Sequence, residues 1–324
     1  LLRTILFFMP SNPNLIRIAS RESRLAMVQS EWTAAKLRTL YPAAVVEIIG
    51  MTTKGDQILD RPLAQIGGKG LFIKELEMAI EEGRADIAVH SMKDVPMTLP
   101  PGFSAVIVGE REDVRDAFVS NRFANIDALP LGGVVGTSSL RRESQLRHVR
   151  PDLKIEALRG NVNTRLAKLD GGNFDAIILA AAGLIRLGFE DRIRCSLPSS
   201  DFIPAIAQGA LGIEYQTART DIAEWLAPFE NQNTTSLVNA ERAFGRALTA
   251  SCDIPLGANA TLIGNTLSID GFVAMPDGSR MIRRAMTGAV ADAQSLGTAL
   301  AQMLLDEGAG EILASLSRHG GDAS

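Results

Sequence analysis

Residues 134–147, VVGTSSLRRESQLR, read as a short buried strand, a polar turn and the opening of a helix. The valines favour an extended chain, Gly136 ends it, and the helix is expected from Ser138 onward. The unit recurs twice just downstream. KIEAL (154–158) runs into a helix expected from Asn161, and FDAIILAA (174–181) runs into a short helix near Leu184. Strands that alternate with helices predict βαβ units and parallel sheets.

The same alternation appears upstream. LIRIAS (15–20) is a strand that leads into a helix capped by Ser23, with Leu25, Val28 and Trp32 on one face. VVEIIGM (45–51) is a second strand, followed by the polar loop TTKGDQ. GGKGLFIKELEMAIEEG (67–83) gives a glycine-rich entry to a helix, and DIAVHS (86–91) a third strand. A charged linker, GEREDVRDAFVS (109–120), separates this half from the next. Beyond the helix containing SLVNAERAFGRAL (236–248), three β-like runs start at 258, 267 and 279, separated by the turns IGNT and PDGS. Those turns suit an antiparallel meander, and LGTALAQMLLDEG (296–308) supplies a covering helix. Two α/β units and a smaller α+β unit are therefore expected.

The chain's 324 residues are 46% hydrophobic and 22% charged, enough for more than one core, and its net charge is -4. No run reaches the roughly 18 apolar residues of a membrane span. The opening residues, LLRTILFFMPSNPN, lack a small-residue cleavage site, so no secretory leader is expected, and Met9 is an alternative start. Two cysteines, Cys195 and Cys252, do not make a disulfide scaffold, which suits a cytoplasmic protein.

In open parallel sheets, ligands bind beyond the carboxyl ends of the strands, where loops enter helix N-termini. Polar residues gather at those positions. Arg21 and Ser23 follow the first strand, and Lys93 and Asp94 follow DIAVHS. Thr137, Ser138, Ser139, Arg141 and Arg142 follow VVG; Arg159, Gly160 and Asn161 follow KIEAL; Arg186 comes after FDAIILAAAGL. Helix N-termini offer free N–H groups, and arginine offers a planar fork for carboxylates. A single loop arginine is commonly solvated or paired with a surface carboxylate. Arg141 and Arg142, however, place two cations at a positive helix end, which calls for an anion. Such concentration against an acidic chain points to a pocket for a polyanionic small ligand. GGKG (67–70) lacks the spacing of a phosphate loop. Cys252 could be a small buried hydrophobe or a reactive thiol. The three histidines give no metal-ligand spacing and no Ser-His-Asp arrangement.

In order, RIASRESRLA, GGKGLFIKELE, ADIAVHSMKDVP, EREDVRDAFVS, VGTSSLRR, LRGNVNTRL, DAIILAAAGL, AIAQGALGIE and SCDIPLG closely resemble the porphobilinogen deaminases, or hydroxymethylbilane synthases. HSMKDVP together with GTSSLRR is highly specific to that family. The resemblance implies a transferase of tetrapyrrole (porphyrin, heme) biosynthesis. Four porphobilinogen molecules are joined head to tail, with ammonia released each time, on a dipyrromethane cofactor held by a thioether. It implies Cys252 as the attachment point and Asp94 as the catalytic carboxylate. Ser23, Lys93, Asp94, Thr137, Ser138, Ser139, Arg141, Arg142, Arg159 and Gly160 would bind the cofactor. Arg21, Ser23, Arg159, Arg165, Arg186 and Gln208 would bind substrate, and no metal is implied.

The implied fold is two type II periplasmic-binding-protein-like α/β domains (1–109 with 210–228, and 110–209) plus a smaller α+β C-terminal domain (229–324) with a three-stranded antiparallel sheet. A monomer is implied, with neither nucleic acid nor membrane as partner. The sequence departs from the family's common pattern at Arg24, where proline is common, at Gln65, where lysine is common, and at Ala250 and Ser251, in place of a glycine pair. A two-lobed solute-binding or ligand-sensing module is the rival reading. Nucleic-acid binding conflicts with the acidic charge.

Overall fold

The computed structural model describes residues 13–53, 55, 73–248 and 254–321. In it the charged linker and the AIAQGALG segment (205–212) decide the architecture, because the chain crosses between two sheets at both. The first sheet has the order β2-β1-β3-β10-β4, from β1 (Leu15–Arg21), β2 (Val45–Met51), β3 (Ile87–Ser91), β4 (Phe103–Val108) and β10 (Leu211–Gln216). The second has the order β7-β6-β8-β5-β9, from β5 (Asp116–Val119), β6 (Val134–Gly136), β7 (Lys154–Glu156), β8 (Ala176–Ala180) and β9 (Cys195–Leu197). A third, β11-β12-β13, is an antiparallel meander of Leu256–Ile263, Thr266–Ala274 and Met281–Ala289.

The expectation of purely parallel sheets needs one correction. β1 pairs parallel with β2 and β3, and β6 with β7 and β8, but β10 runs antiparallel to β3 and β4, and β5 antiparallel to β8 and β9. Each reversed strand is the one that arrives directly from the other lobe, without a local crossover helix to turn the chain round. This is the two-lobed arrangement that the resemblance implies.

Helix α1 (Arg24–Leu40) starts where expected, with Ser23 Oγ accepting from the Ala26 amide. Its buried face is not the one that carries Leu25, Val28 and Trp32. Ala26, Gln29, Ser30, Thr33, Ala34 and Leu37 are buried, while Trp32 is exposed. Small side chains let the helix lie close to the sheet, and the polar ones are satisfied there. Ser30 donates to Ser20 at 2.8 Å, Gln29 to Ser91 at 2.8 Å and Thr33 to the Gln29 carbonyl at 3.0 Å. Leu25, Val28 and Trp32 turn away from the first sheet. Leu25 lies beside Gly183 of the second lobe, and Trp32 packs on Gly109 at the first crossover.

The two crossovers run side by side, joined by a bond from the Glu112 amide to the Gly209 carbonyl at 3.2 Å. Gly109 and Gly209 have φ of 69° and 86°. A Cβ on Gly209 would lie 2.4 Å from the Glu112 carbonyl oxygen, so only glycine fits. Helix α7 (Gln232–Ala247) clamps the pair. Arg111 grips the buried Glu241 with two bonds of 2.7 and 2.8 Å and donates to the Gln208 carbonyl at 2.9 Å. Glu241 also accepts from the amides of Ala207 (2.6 Å) and Ala260 (2.7 Å). One carboxylate thereby ties both crossovers to the third sheet. Phe244 of α7 is fully buried behind that sheet, Phe272 of β12 is fully buried on its other face beside Ile203, and α8 (Ala293–Leu304) packs across α7. Each aromatic accounts for about 3–5 kcal/mol on truncation to alanine.

Candidate active site

β3 ends at Ser91, and a single 3-10 turn, Met92–Asp94, follows. Met92 is buried against Gly212, and its amide donates to the Ala210 carbonyl at 3.0 Å. With Met92 anchored, the next two residues project into the cleft, Lys93 partly buried and Asp94 exposed. Arg242 of α7 holds the chain just beyond, donating to the carbonyls of Val95, Pro96 and Met97.

The opposite wall comes from three strand-to-helix turns of the second lobe. After β6, Thr137 is buried and its hydroxyl accepts from the Ser139 amide at 3.2 Å. Ser138 both donates to the Leu158 carbonyl (3.1 Å) and accepts from the Leu158 amide (3.0 Å), fixing the neighbouring turn. Helix α3 (Leu140–Val149) begins with Arg141 and Arg142, both buried. Gly160, at φ 108°, lets the next turn fold back, and its carbonyl accepts from Arg165 Nε at 2.7 Å. The helix expected from Asn161 is α4 (Val162–Asp170), and Asn161 caps it, accepting from the Thr164 amide at 3.0 Å.

The anion that the two helix-opening arginines require turns out to be a residue of the chain. Asp116, the first residue of β5, is fully buried. Its Oδ1 accepts from Arg142 Nε (3.1 Å) and Nη2 (2.7 Å) and from Gln208 Nε2 (3.0 Å), and its Oδ2 pairs with Arg141 Nη2 at 2.7 Å. The remaining contacts of the arginines are to carbonyls, Arg141 to Ile203 at 2.7 Å and Arg142 to Ile178 at 3.0 Å. Burial alone would raise the Asp116 pKa, but Arg141 and Arg142 outweigh it and hold the carboxyl far below its ordinary range. Sequence reasoning missed this residue and left it in the linker. The signal was the unmet need for an anion at α3, which was assigned to a ligand.

The cluster stays rich in positive charge. Burial first, then Arg141 and Arg142, push Lys93 down to about 8, against the pull of Asp94 and Asp116. Arg165 is lowered to about 10 by burial and by Arg142 and Arg159, with Asp94 opposing. Lys93, Arg141, Arg142, Arg159 and Arg165 thus share one field with the two carboxylates Asp94 and Asp116. Buried cations in such excess are stabilised by an anion between them. That donor set fits a ligand carrying several carboxylates.

Other expected site residues sit elsewhere or are already engaged. Arg21 closes β1 and is half-buried, and Ser23 serves as the α1 cap. Arg186, at the end of α5 (Ala181–Arg186), is engaged at the crossovers: it donates to the Gly209 carbonyl at 2.6 Å, with Glu112 opposing the lowering that burial causes. With Trp32 and Phe229 it lines a groove of about 870 Å³. Gln208 also donates to the Val114 carbonyl at 2.7 Å. Arg24 stacks over the Phe189 ring at 5.5 Å, bridging the lobes. Cys252, Ala250, Ser251, Gln65 and the GGKG run lie outside the described residues. The chain flanking Cys252 is placed, however. Leu248 is buried, and Gly257 on β11 sits so close to Arg141 that a Cβ there would lie 3.1 Å from its Cδ. Among the described residues no His, Cys, Asp and Glu group could hold a metal ion, and no helix is long and apolar enough to cross a membrane.

Two family models match the chain. Residues 16–224 match "Porphobilinogen deaminase, dipyromethane cofactor binding domain", and residues 235–306 match "Porphobilinogen deaminase, C-terminal domain". A porphobilinogen deaminase of Methylobacillus flagellatus is 56% identical over 304 residues, covering 94% of this chain and 98% of the relative. That of Chromobacterium violaceum is 57% identical over 301 residues, covering 93% and 97%. Among solved structures, the methionine binding protein MetQ aligns over 69% of this chain and 93% of its own, at 12% identity and a TM-score of 0.43.

Proposed function

The chain belongs to the porphobilinogen deaminase family, and we propose that it is a hydroxymethylbilane synthase. It joins four porphobilinogen molecules head to tail, with release of ammonia at each step, for tetrapyrrole biosynthesis. It is an enzyme of the transferase type whose cofactor is dipyrromethane. The observation that carries the reading is one exposed carboxylate, Asp94, facing a wall of partly neutralised cations.

Dipyrromethane, bound by a thioether to Cys252, supplies the pyrrole α-carbon to which the first substrate is joined. Lys93, Arg141, Arg142 and Arg159 would hold its carboxylates, with Ser23, Thr137, Ser138, Ser139 and Gly160 lining the same site. The excess of cations supports that assignment. Arg21, Ser23, Arg159, Arg165, Arg186 and Gln208 are assigned to the substrate's acetate and propionate. Arginine stays protonated at all working pH values, so it can position but not transfer a proton.

Asp94 is assigned the chemistry. Loss of ammonia leaves positive charge on the porphobilinogen ring, and the ring must later shed a proton. A carboxylate beside the ring nitrogen stabilises the charge and can carry the proton. Arg242 and Met92 keep Asp94 in place from below. The domain division 1–109 with 210–228, 110–209 and 229–324, and a cytoplasmic monomer without nucleic-acid or membrane partners, complete the proposal. Asp94→Asn keeps charge-free hydrogen bonding but no base. It is expected to bind porphobilinogen and retain the covalent cofactor while losing turnover by about 100-fold or more, read by product formation and by intact mass. Wild-type rates in that variant would remove Asp94 from the chemistry.

A further inference from the structure

We propose that Asp116 is a positioning residue that competes with the ligand: its carboxylate holds Arg141 and Arg142 against those of the growing polypyrrole and so keeps each enzyme-bound intermediate extendable. The proposal rests on the porphobilinogen deaminase reading and adds a residue and a role to it.

Three contacts carry it. Asp116 is completely buried and takes hydrogen bonds or ion pairs from Arg141, Arg142 and Gln208, three cleft residues on two different segments. Arginine has five N–H donors. Arg142 directs two nitrogens at Asp116 and its third at the Ile178 carbonyl, whereas Arg141 directs one at Asp116 and one at the Ile203 carbonyl. Both guanidiniums are therefore fixed in orientation and partly neutralised before any ligand arrives. Their remaining donors can still meet a ligand carboxylate.

The reaction gives this arrangement a purpose. Every added pyrrole brings an acetate and a propionate, while the set of cations stays constant. Without a fixed counter-charge, each longer intermediate would be gripped more tightly at the same arginines. Tighter binding of a ground state lowers KM without raising kcat, and here it would slow the next extension and the release. A resident carboxylate at the arginine pair sets a ceiling on that grip. A purely structural neutraliser would occupy the same place, so the two roles must be separated by the direction in which kinetic constants move.

Asp116→Asn removes the charge and keeps the shape. With active enzyme counted by its covalent cofactor mass, KM for porphobilinogen is expected to fall several-fold and kcat about tenfold. Intact mass after a limiting dose of porphobilinogen should show intermediates carrying extra pyrroles persisting longer than in wild type. Asp116→Glu, which restores the charge, should return both constants toward wild type. A KM that is unchanged or raised, with an unaltered intermediate distribution, overturns the proposal. Should two uncompensated arginines prevent Asp116→Asn from folding, Arg141→Gln and the charge-balanced Asp116→Asn/Arg141→Gln are compared. The double variant is expected to hold its pyrrole-extended intermediates longer than Arg141→Gln does, because Arg142 is freed, and an equal or shorter persistence overturns the proposal. Wild-type enzyme unable to consume porphobilinogen would instead contradict the family function, which separates the two failures.

Discussion

Lys93 shows how a site built for anions weakens its own fold. Burial among arginines lowers it from 10.5 to about 8. Between about pH 8 and 10.5 the unfolded chain holds a proton that the folded chain has released, so this residue makes stability rise with pH across that window. Below it the buried charge is a cost. Lys93→Met is therefore expected to raise the melting temperature of cofactor-free protein at pH 7, flatten the rise above pH 8 and weaken substrate binding, as stabilising changes at binding sites often do. Differential scanning calorimetry across pH checks it; a lower melting temperature at pH 7 would contradict the buried-charge account. Much at this scale was legible from sequence. The cap Ser23 was, because its partner lies three residues along the chain. Asp116 was not, because its partners lie 26 and 92 residues away and the surrounding EREDVRD run reads as a solvated linker.

Among elements, α7 does more than cover the third sheet. Its Glu241 joins Arg111, Ala207 and Ala260, and its Arg242 holds the carbonyls that follow Asp94. The same helix leads to the segment that contains Cys252. Glu241→Gln leaves Arg111 buried without a charge partner. A loss of about 3–5 kcal/mol in unfolding free energy is expected, the usual cost of breaking a buried pair, measured by urea titration; a loss below about 1 kcal/mol would show that the pair is not structural. The meander was readable from its turns, and the βαβ units from their alternation. The buried face of α1 was not. Trp32 and Leu25 are the more hydrophobic choice, but the helix sits close to its sheet through small side chains and through Ser30 and Gln29, whose partners Ser20 and Ser91 lie on the strands. Nor could local pattern show which strand of each lobe runs backwards, since that depends on where the chain crosses.

For the whole molecule, a second buried charge cluster sets the dependence on pH. On α2 (Lys74–Glu81), Glu77 is raised to about 7 by burial and by Glu214, with Glu81 adding and Lys74 opposing. Glu214 in turn faces His90 at 2.8 Å. The folded chain keeps the Glu77 proton between about pH 4.5 and 7 while the unfolded chain loses it, so stability contributed here falls as pH rises through that range. Glu77→Gln should flatten the decline and be the more stable form at pH 8, by thermal melts at matched ionic strength; an unchanged slope would place the shift elsewhere. The two lobes, the cation-rich cleft between them and the β11 edge beside Arg141 converge on one account, in which arginines hold a polypyrrole and Asp94 reacts with it. Intact mass of the purified chain tests that account most directly. Wild-type protein should carry a covalent dipyrromethane increment and gain further pyrrole increments on brief exposure to porphobilinogen, and Cys252→Ser should show neither. A fully active wild-type protein of unmodified mass would contradict it.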